Sequence, residues 1–397
     1  MVVKGDQLLR SPLDMLAPLT KLTALHLECF APSSAAPAAP ALPSLPPDLA
    51  LLTALRELRC EGFSAPSARN LSSLLSPLTQ LTELHAGIVL GGSCRLPQLP
   101  HLQSLHVERV AKGGLSSLAA SCTALTSLHT LTAVRLAKAD AAARLPALHR
   151  LVFLVDSDLI TAVQAGRFSL AAFCPALAGL HLFAEVLDNA RLVPLLKGLS
   201  GLAELTAAGP LRAWGAVPAT PLVSEWQALA ALPSLRSFAA TLKAVGSASL
   251  PAFAAGCTQL TELRLTLELR SDELDGCVAF AGAMEGSRVQ LLTLTPKFES
   301  NTVNPLLPMP FYAHLAAWRR LEYVKLRHWC TLEQVAVLCG GPRIDTVSID
   351  RIELTDRGTP ANVLQRRTEQ MVVQSFVNRI MVAHSSKELE IRYKPHP

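Results

Sequence analysis

Residues 78–86 read L-T-Q-L-T-E-L-H-A, residues 99–107 read L-P-H-L-Q-S-L-H-V, and residues 122–130 read C-T-A-L-T-S-L-H-T. Superimposed on Leu81, Leu102 and Leu125, the three stretches share the pattern L-x-x-L-x-L or an apolar variant, preceded at minus three by Leu or Cys. The pattern starts again at Leu22, Leu55, Leu148, Leu177, Leu202, Leu235, Leu260, Val289, Leu321, Ile344 and, in degenerate form, Ser386. Thirteen intervals between Leu22 and Ser386 give a mean period of 28 residues. A fixed period on this scale marks a repeat architecture with one supersecondary unit per repeat.

Within each unit the last two apolar positions are two apart, as in Leu25/Leu27, Leu105/Val107, Leu180/Leu182, Leu263/Leu265, Leu292/Leu294 and Val347/Ile349. That spacing puts both side chains on one face of a short strand. The stretch between strands is long enough for a helix and two turns. Leu71, Leu74, Leu75 and Leu78 have helical spacing, as do Leu229, Leu232 and Leu235. One strand and one helix cannot bury their apolar sides alone, so the units must stack. Stacking gives a parallel sheet on one side, helices on the other, and leucines between them. Helices are wider than strands, so the expected α/β solenoid curves into a horseshoe with its strands on the concave face. Residues 1–361 are expected to form one elongated solenoid of about thirteen irregular repeats. Residues 362–397 are expected to supply a capping amphipathic helix (362–383) and a final short strand at Leu389 and Ile391.

With these residues, the chain resembles the leucine-rich-repeat family, in its ribonuclease-inhibitor-like branch, over residues 19–392. The apolar residue three before the first Leu (Leu19, Leu52, Leu78, Leu99, Leu145, Leu199, Leu232) becomes Cys122, Cys174 and Cys257 in three copies. This resembles the cysteine-containing repeats of F-box proteins. The resemblance implies a curved surface that binds a protein partner, with no cofactor and no catalysis. It also raises three alternatives: a substrate-recognition subunit of a ubiquitin ligase, a repeat-only GTPase-activating protein, and a structural subunit of a larger assembly. No F-box stands in the 18 residues before Leu19. The family's usual turn Asn or Cys is also missing: Phe30, Phe63, Val89, Val110, Glu185, Pro210, Lys243 and Trp329 occupy that position, so irregular turns are expected.

Composition sets further bounds. Of 397 residues 50% are hydrophobic, enough for a large core, and the net charge of +5 is mild. The bases are scattered, so no nucleic-acid partner is expected. No uninterrupted apolar run reaches the eighteen residues of a membrane span, and the N-terminus lacks a secretory core. Nine Cys, an odd number without a C-x-x-C pair, favour a reducing compartment, cytoplasm or nucleus. Phosphate loops, dinucleotide turns, H-E-x-x-H and nucleophile elbows are all missing, so neither enzyme activity nor a metal is expected.

Three segments interrupt the period: the Ala/Pro/Ser stretch 31–47, residues 207–225 with Trp214, and residues 295–311. The last opens an aromatic concentration, Phe298, Phe311, Tyr312, Trp318, Tyr323 and Trp329, and interfaces favour Tyr and Trp. It is one candidate contact zone, with Trp318 and Phe311 alternatively packed as core.

The residue four after the first Leu lies between the two buried strand positions and faces the concavity. Down the repeats it reads His26, Arg59, His85, His106, His129, Val152, His181, Thr206, Ala239, Arg264, Thr293, Lys325, Ser348 and Glu390. Five of the eleven histidines fall in this column. The column two before it carries Glu57, Glu83, Arg150, Glu204, Glu262, Tyr323 and Glu388. The candidate partner-binding residues are therefore His26, Arg59, His85, His106, His129, His181, Arg264, Tyr323 and Lys325. His85, His106 and His129 should stack at the strand spacing of about 4.8 Å, and mutual repulsion should lower their proton affinities.

Overall fold

Each described L-x-x-L-x-L copy forms a strand, because alternation by two buries one set of side chains and leaves the other set in solvent. The structure, a computed structural model, describes residues 2–4, 19–28, 47–61, 68–91, 94–136, 138–184, 189–208, 232–243, 248–270, 273–298, 306–352, 371, 373–378 and 388–391. Contacts group the chain into two compact units. The first comprises Met1–Glu185, Ala190–Leu202 and Pro210–Trp214, and the second Val186–Asn189, Ala203–Gly209 and Gly215–Pro397.

The first unit contains β1 (Val2–Lys4), β2 (Ala24–Glu28), β3 (Glu57–Glu61), β4 (Glu83–Leu90), β5 (Ser104–Val110), β6 (Ser127–Ala133), β7 (Arg150–Val155) and β8 (Gly179–Ala184). They pair in chain order, all parallel. Repeat leucines meet across the ladder: Leu25, Leu58, Leu84, Leu105, Leu128, Leu151 and Leu180 are successive partners. Helices α1 (Ala68–Leu75), α2 (Gly114–Ser121), α3 (Ser157–Gln164), α4 (Leu170–Phe173) and α5 (Asn189–Leu196) lie between strands. The expected helix at Leu71, Leu74 and Leu75 is α1, and all three leucines are buried.

The second unit contains β9 (Glu204–Ala208), β10 (Ser237–Lys243), β11 (Glu262–Leu269), β12 (Leu291–Phe298), β13 (Tyr323–Cys330), β14 (Thr346–Ile352) and β15 (Glu388–Ile391), again parallel and in chain order. Its helices are α6 (Ser249–Gly256), α7 (Leu274–Ala283), α8 (Met309–Ala317) and α9 (Leu332–Cys339). Phe238 of β10, Phe253 of α6 and Phe280 of α7 are all buried, with centroids 6.0 and 6.4 Å apart in sequence, so strand and helix share one core.

The turns explain the residue at minus three. In ten described copies the N–H of the first Leu donates to the carbonyl three residues back, for example Leu81 to Leu78, Leu125 to Cys122 and Leu260 to Cys257. The residue offering that carbonyl points inward, and Cys122, Cys174 and Cys257 are fully buried there. Burial pushes the Cys122 and Cys174 thiols up to about 12 and raises Cys257 as well. A second backbone motif links repeats. The Arg56 carbonyl accepts from both Thr82 N–H (2.8 Å) and Glu83 N–H (2.9 Å), and the same pair recurs at Thr82, Gln103, Thr126 and His149, and from Ala203 to Glu322 in the second unit.

These bonds satisfy the strand entrances from the main chain. At the other end, the strands continue where a turn Asn was expected: Val89, Val110, Lys243 and Trp329 are all strand residues. The longer strands also correct the reading of 295–311 as an interruption, since residues 295–298 belong to β12. Pro296 is buried within it, opposite Leu267 of β11. The described pairing of β12 with β13 ends at Leu294 and Leu326, just before this residue that has no N–H to offer. Strand β1 was not expected from the sequence at all.

Gly91 needs its type for two reasons. Its φ is +112°, and a Cβ there would meet the Ala111 carbonyl oxygen at 2.5 Å. The expected C-terminal helix is described only at Met371 and residues 373–378, where Val373 is buried. The segments 31–46 and 209–225, the helix expected around Leu229, and Leu8, Leu9, Leu13 and Leu16 lie outside the described residues.

Candidate partner-binding face

The two outward columns read from the sequence are continuous columns in the structure. In the first unit His26, Arg59, His85, His106, His129, Val152 and His181 are successive register partners. In the second unit Thr206, Ala239, Arg264, Thr293, Lys325, Ser348 and Glu390 are likewise successive. The candidate residues are thus brought together in two sets, one per unit. The columns are not uniformly open, however: Val152 and Ser348 are buried.

The histidines stack closely. The His85 and His106 rings are 3.8 Å apart and 3° from parallel, and His106 and His129 are 3.8 Å apart at 35°. The rings lean together to less than the strand spacing and leave little water between them. The expected lowering of proton affinity holds for His106 and His129, with a different leading cause. Burial lowers His106 most, to about 3, with repulsion from His129 and His85 adding to it. Burial also leads for His129, followed by repulsion from His85, His181 and Arg150.

The imidazoles at 106 and 129 are therefore neutral at pH 7. The His85 and His106 rings, 3° from parallel, aim their in-plane nitrogen lone pairs side by side rather than at a common point. Among the described residues no group of three or more His, Cys, Asp or Glu is arranged to hold a metal ion.

Because the unfolded chain binds protons at these histidines more readily than the folded one, stability rises with pH across this range. Their contribution is complete above about 6.5 and is lost as pH falls toward 3. Ring-proton titration by NMR should place the His106 and His129 midpoints below 6.5, with His106 lower. Midpoints at or above 6.5 would refute the stacked, dehydrated arrangement.

Acids flank this column. Arg59 Nη2 donates to Glu83 Oε1 at 2.9 Å, and its Nε lies 2.8 Å from Glu57 Oε1, an ion pair by distance whose N–H is not aligned for a hydrogen bond. Arg59 thus bridges two carboxylates on neighbouring strands. Arg150 Nη2 stands 3.4 Å from His181 Nε2. Because β6–β8 continue past the motif, Leu131, Leu154 and Phe183 also reach the open face, Leu131 with 47% exposure. The six-residue pattern ends before these residues. Prolonging its alternation along each strand would have found them.

In the second unit Glu262 accepts from Arg264 Nε at 2.6 Å and from Ser237 Oγ at 2.8 Å. Tyr323 and Lys325 are half-exposed on β13, and the same strand adds Arg327 and Trp329 to the face. The aromatic contact zone needs correction. Phe311, Tyr312 and Trp318 are buried on α8 and at its end, where Trp318 Nε1 donates to the Ala281 carbonyl at 2.7 Å. Helical spacing turns these rings toward the core. Phe298, Tyr323 and Trp329 remain accessible.

No protein-family model matches this sequence, and no curated protein matches it. Among the described residues no helix is long and apolar enough to cross a membrane.

Proposed function

We propose that the chain is a leucine-rich-repeat horseshoe that acts without catalysis, holding a protein partner on its concave strand face and adjacent loops. The observation that carries this reading is the unbroken register of the outward columns, from His26 to His181 in one unit and from Thr206 to Glu390 in the other. Side chains mounted on hydrogen-bonded parallel strands are held in place before a partner arrives, which reduces the entropy lost on binding. Neutral stacked imidazoles beside Leu131, Leu154 and Phe183 combine apolar contact with hydrogen-bonding edges, the mixture that interface centres favour. The eight described cysteines are free thiols, which suits a cytoplasmic or nuclear protein.

The test replaces His106 and His129 together by Glu. Both sites face solvent on one side, so the fold should survive, with circular dichroism as the control. Proteins retained from native cell extract by immobilised wild type should fall about tenfold or more with this variant, since two carboxylates enter the interface. Retention unchanged both in this variant and in Tyr323→Ala would overturn the assignment of the partner to this face.

A further inference from the structure

On the helix side of the first unit, a cleft of about 700 Å³ lies between the turn before α2 and α3. Its origin is legible in the chain. Between β6 and β7, where the repeats on either side carry α2 and α3, stands only the 3₁₀ turn Lys138–Ala142, and residues 137–143 read A-K-A-D-A-A-A. A short turn rich in alanine cannot fill the width that a leucine-bearing helix fills, so a gap opens beside it. The buried Phe168 and Ala162 form the floor, and Leu136 also lines it. The Phe168 and Phe173 rings are 5.7 Å apart, which ties the floor to the core.

Two cations line the cleft from different elements. Lys112 directly precedes Gly113, whose N–H is held by Asp140 Oδ2 at 2.8 Å. Arg167 follows Gly166 after α3, where the left-handed glycine (φ +68°) lets the Arg167 and Phe168 N–H groups both donate to the Ala162 carbonyl. Both main chains are thus fixed, while both side chains are exposed. Asp158 and Thr161, one turn apart on α3, complete the rim.

The acids of this span are otherwise engaged, except one. Asp140 accepts from Gly113 and Ser116, and Asp156 caps α3 by accepting from Leu159 N–H at 2.9 Å. Lys112, Asp158 and Arg167 form no ion pair among the described residues. Residues 133 and 137–139 are three alanines and Lys138, so they add no acid to the span. Of the flanking acids in sequence, Glu108 lies within β5, and Glu185 and Asp188 belong to the repeat that follows α3. The cleft's own lining therefore offers two unpaired cations against one carboxylate, above an apolar floor.

We propose that this cleft binds a small organic monoanion with an apolar body, its acidic group between Lys112 and Arg167 and its body on Leu136 and Phe168. The volume is that of a site for a single small molecule, and an apolar base with a few polar groups is the composition such sites share. Asp158 on the rim repels a second negative group, which selects a monoanion over a phosphate or other polyanion. The site stands on its own observations and does not require the partner-binding reading above.

Fluorine NMR on the full chain tests this with three probes that share a trifluoromethylphenyl body: the propionate, the propanol and the propylammonium. Wild type should bind the propionate about fivefold tighter than the propanol, and excess inorganic phosphate should not displace it. Lys112→Glu with Arg167→Glu should abolish that preference and favour the propylammonium, which shows that the variant is folded. Ala141→Trp, at an exposed lining position, should weaken all three probes by filling the cleft. The His106→Glu, His129→Glu variant should bind the propionate as wild type does.

No preference for the propionate in wild type, an unchanged preference in the charge-reversed variant, unchanged binding in Ala141→Trp, an equal loss in the histidine variant, or displacement by phosphate would each overturn the proposal. Those outcomes are separable from failure of the partner-binding reading, which is judged by retention of cellular proteins.

Discussion

Replacing Trp318 by alanine is expected to lower the stability of the second unit by about 4–5 kcal/mol, the upper range for deletion of a buried aromatic ring. Trp318 is 1% exposed and stands at the end of α8. Its removal opens a cavity that the surrounding helices cannot fill without shifting. It also takes away the donor to the Ala281 carbonyl, a 2.7 Å bond buried between α7 and the end of α8. An orphaned buried acceptor alone costs about 1–3 kcal/mol. Trp318→Phe separates the two contributions, because the ring volume is largely kept while the bond is lost. It should cost about 1–3 kcal/mol. Urea denaturation followed by far-UV circular dichroism gives both values. A loss below about 1 kcal/mol for the alanine variant would mean that the ring is not an anchor of the core.

Trp318 also marks the limit of what the sequence discloses. Its burial is readable as one alternative, because helical spacing sets it in line with Phe311 and Leu315. Its hydrogen-bond partner is not, because Ala281 lies 37 residues away and offers only a main-chain carbonyl. The outward columns, by contrast, follow from the pattern itself. Parallel strands with a two-residue alternation leave one register that keeps every Leu inside, and His85, His106 and His129 are in register because Leu84, Leu105 and Leu128 must be.

What the pattern withholds is what the strands do beyond it. The extensions that bring Leu131, Arg327 and Trp329 to the open face depend on pairing with neighbours rather than on the motif. The leading cause of the histidine shifts was also out of reach. Repulsion is foreseeable from like residues in a column, whereas burial depends on rings closing to 3.8 Å.

The largest effect expected in the first unit comes from Asp140, whose carboxylate is fully buried. It belongs to a single 3₁₀ turn, Lys138–Ala142, which occupies the place where neighbouring repeats carry a helix. From there it reaches back one repeat to the start of α2. Oδ2 accepts from Gly113 N–H at 2.8 Å, and Oδ1 accepts from Ser116 N–H at 2.9 Å and Ser116 Oγ–H at 2.8 Å. Gly113 precedes the helix and has no side chain with which to cap it, so the cap is borrowed from the following repeat.

Asp140→Ala should therefore cost about 3–4 kcal/mol, since it strands two half-buried amides and a hydroxyl and uncouples adjacent repeats. Asp140→Asn keeps one acceptor oxygen but turns an NH₂ toward a donor, so its cost should be about 2 kcal/mol. Hydrogen exchange localises the effect. In the alanine variant the Gly113 and Ser116 amides should exchange about a hundredfold faster, matching a loss near 3 kcal/mol, while amides in the second unit keep their rates. Unchanged protection at Gly113 and Ser116 would show that α2 holds its first turn without Asp140, and that the coupling between these repeats lies in the leucine core alone.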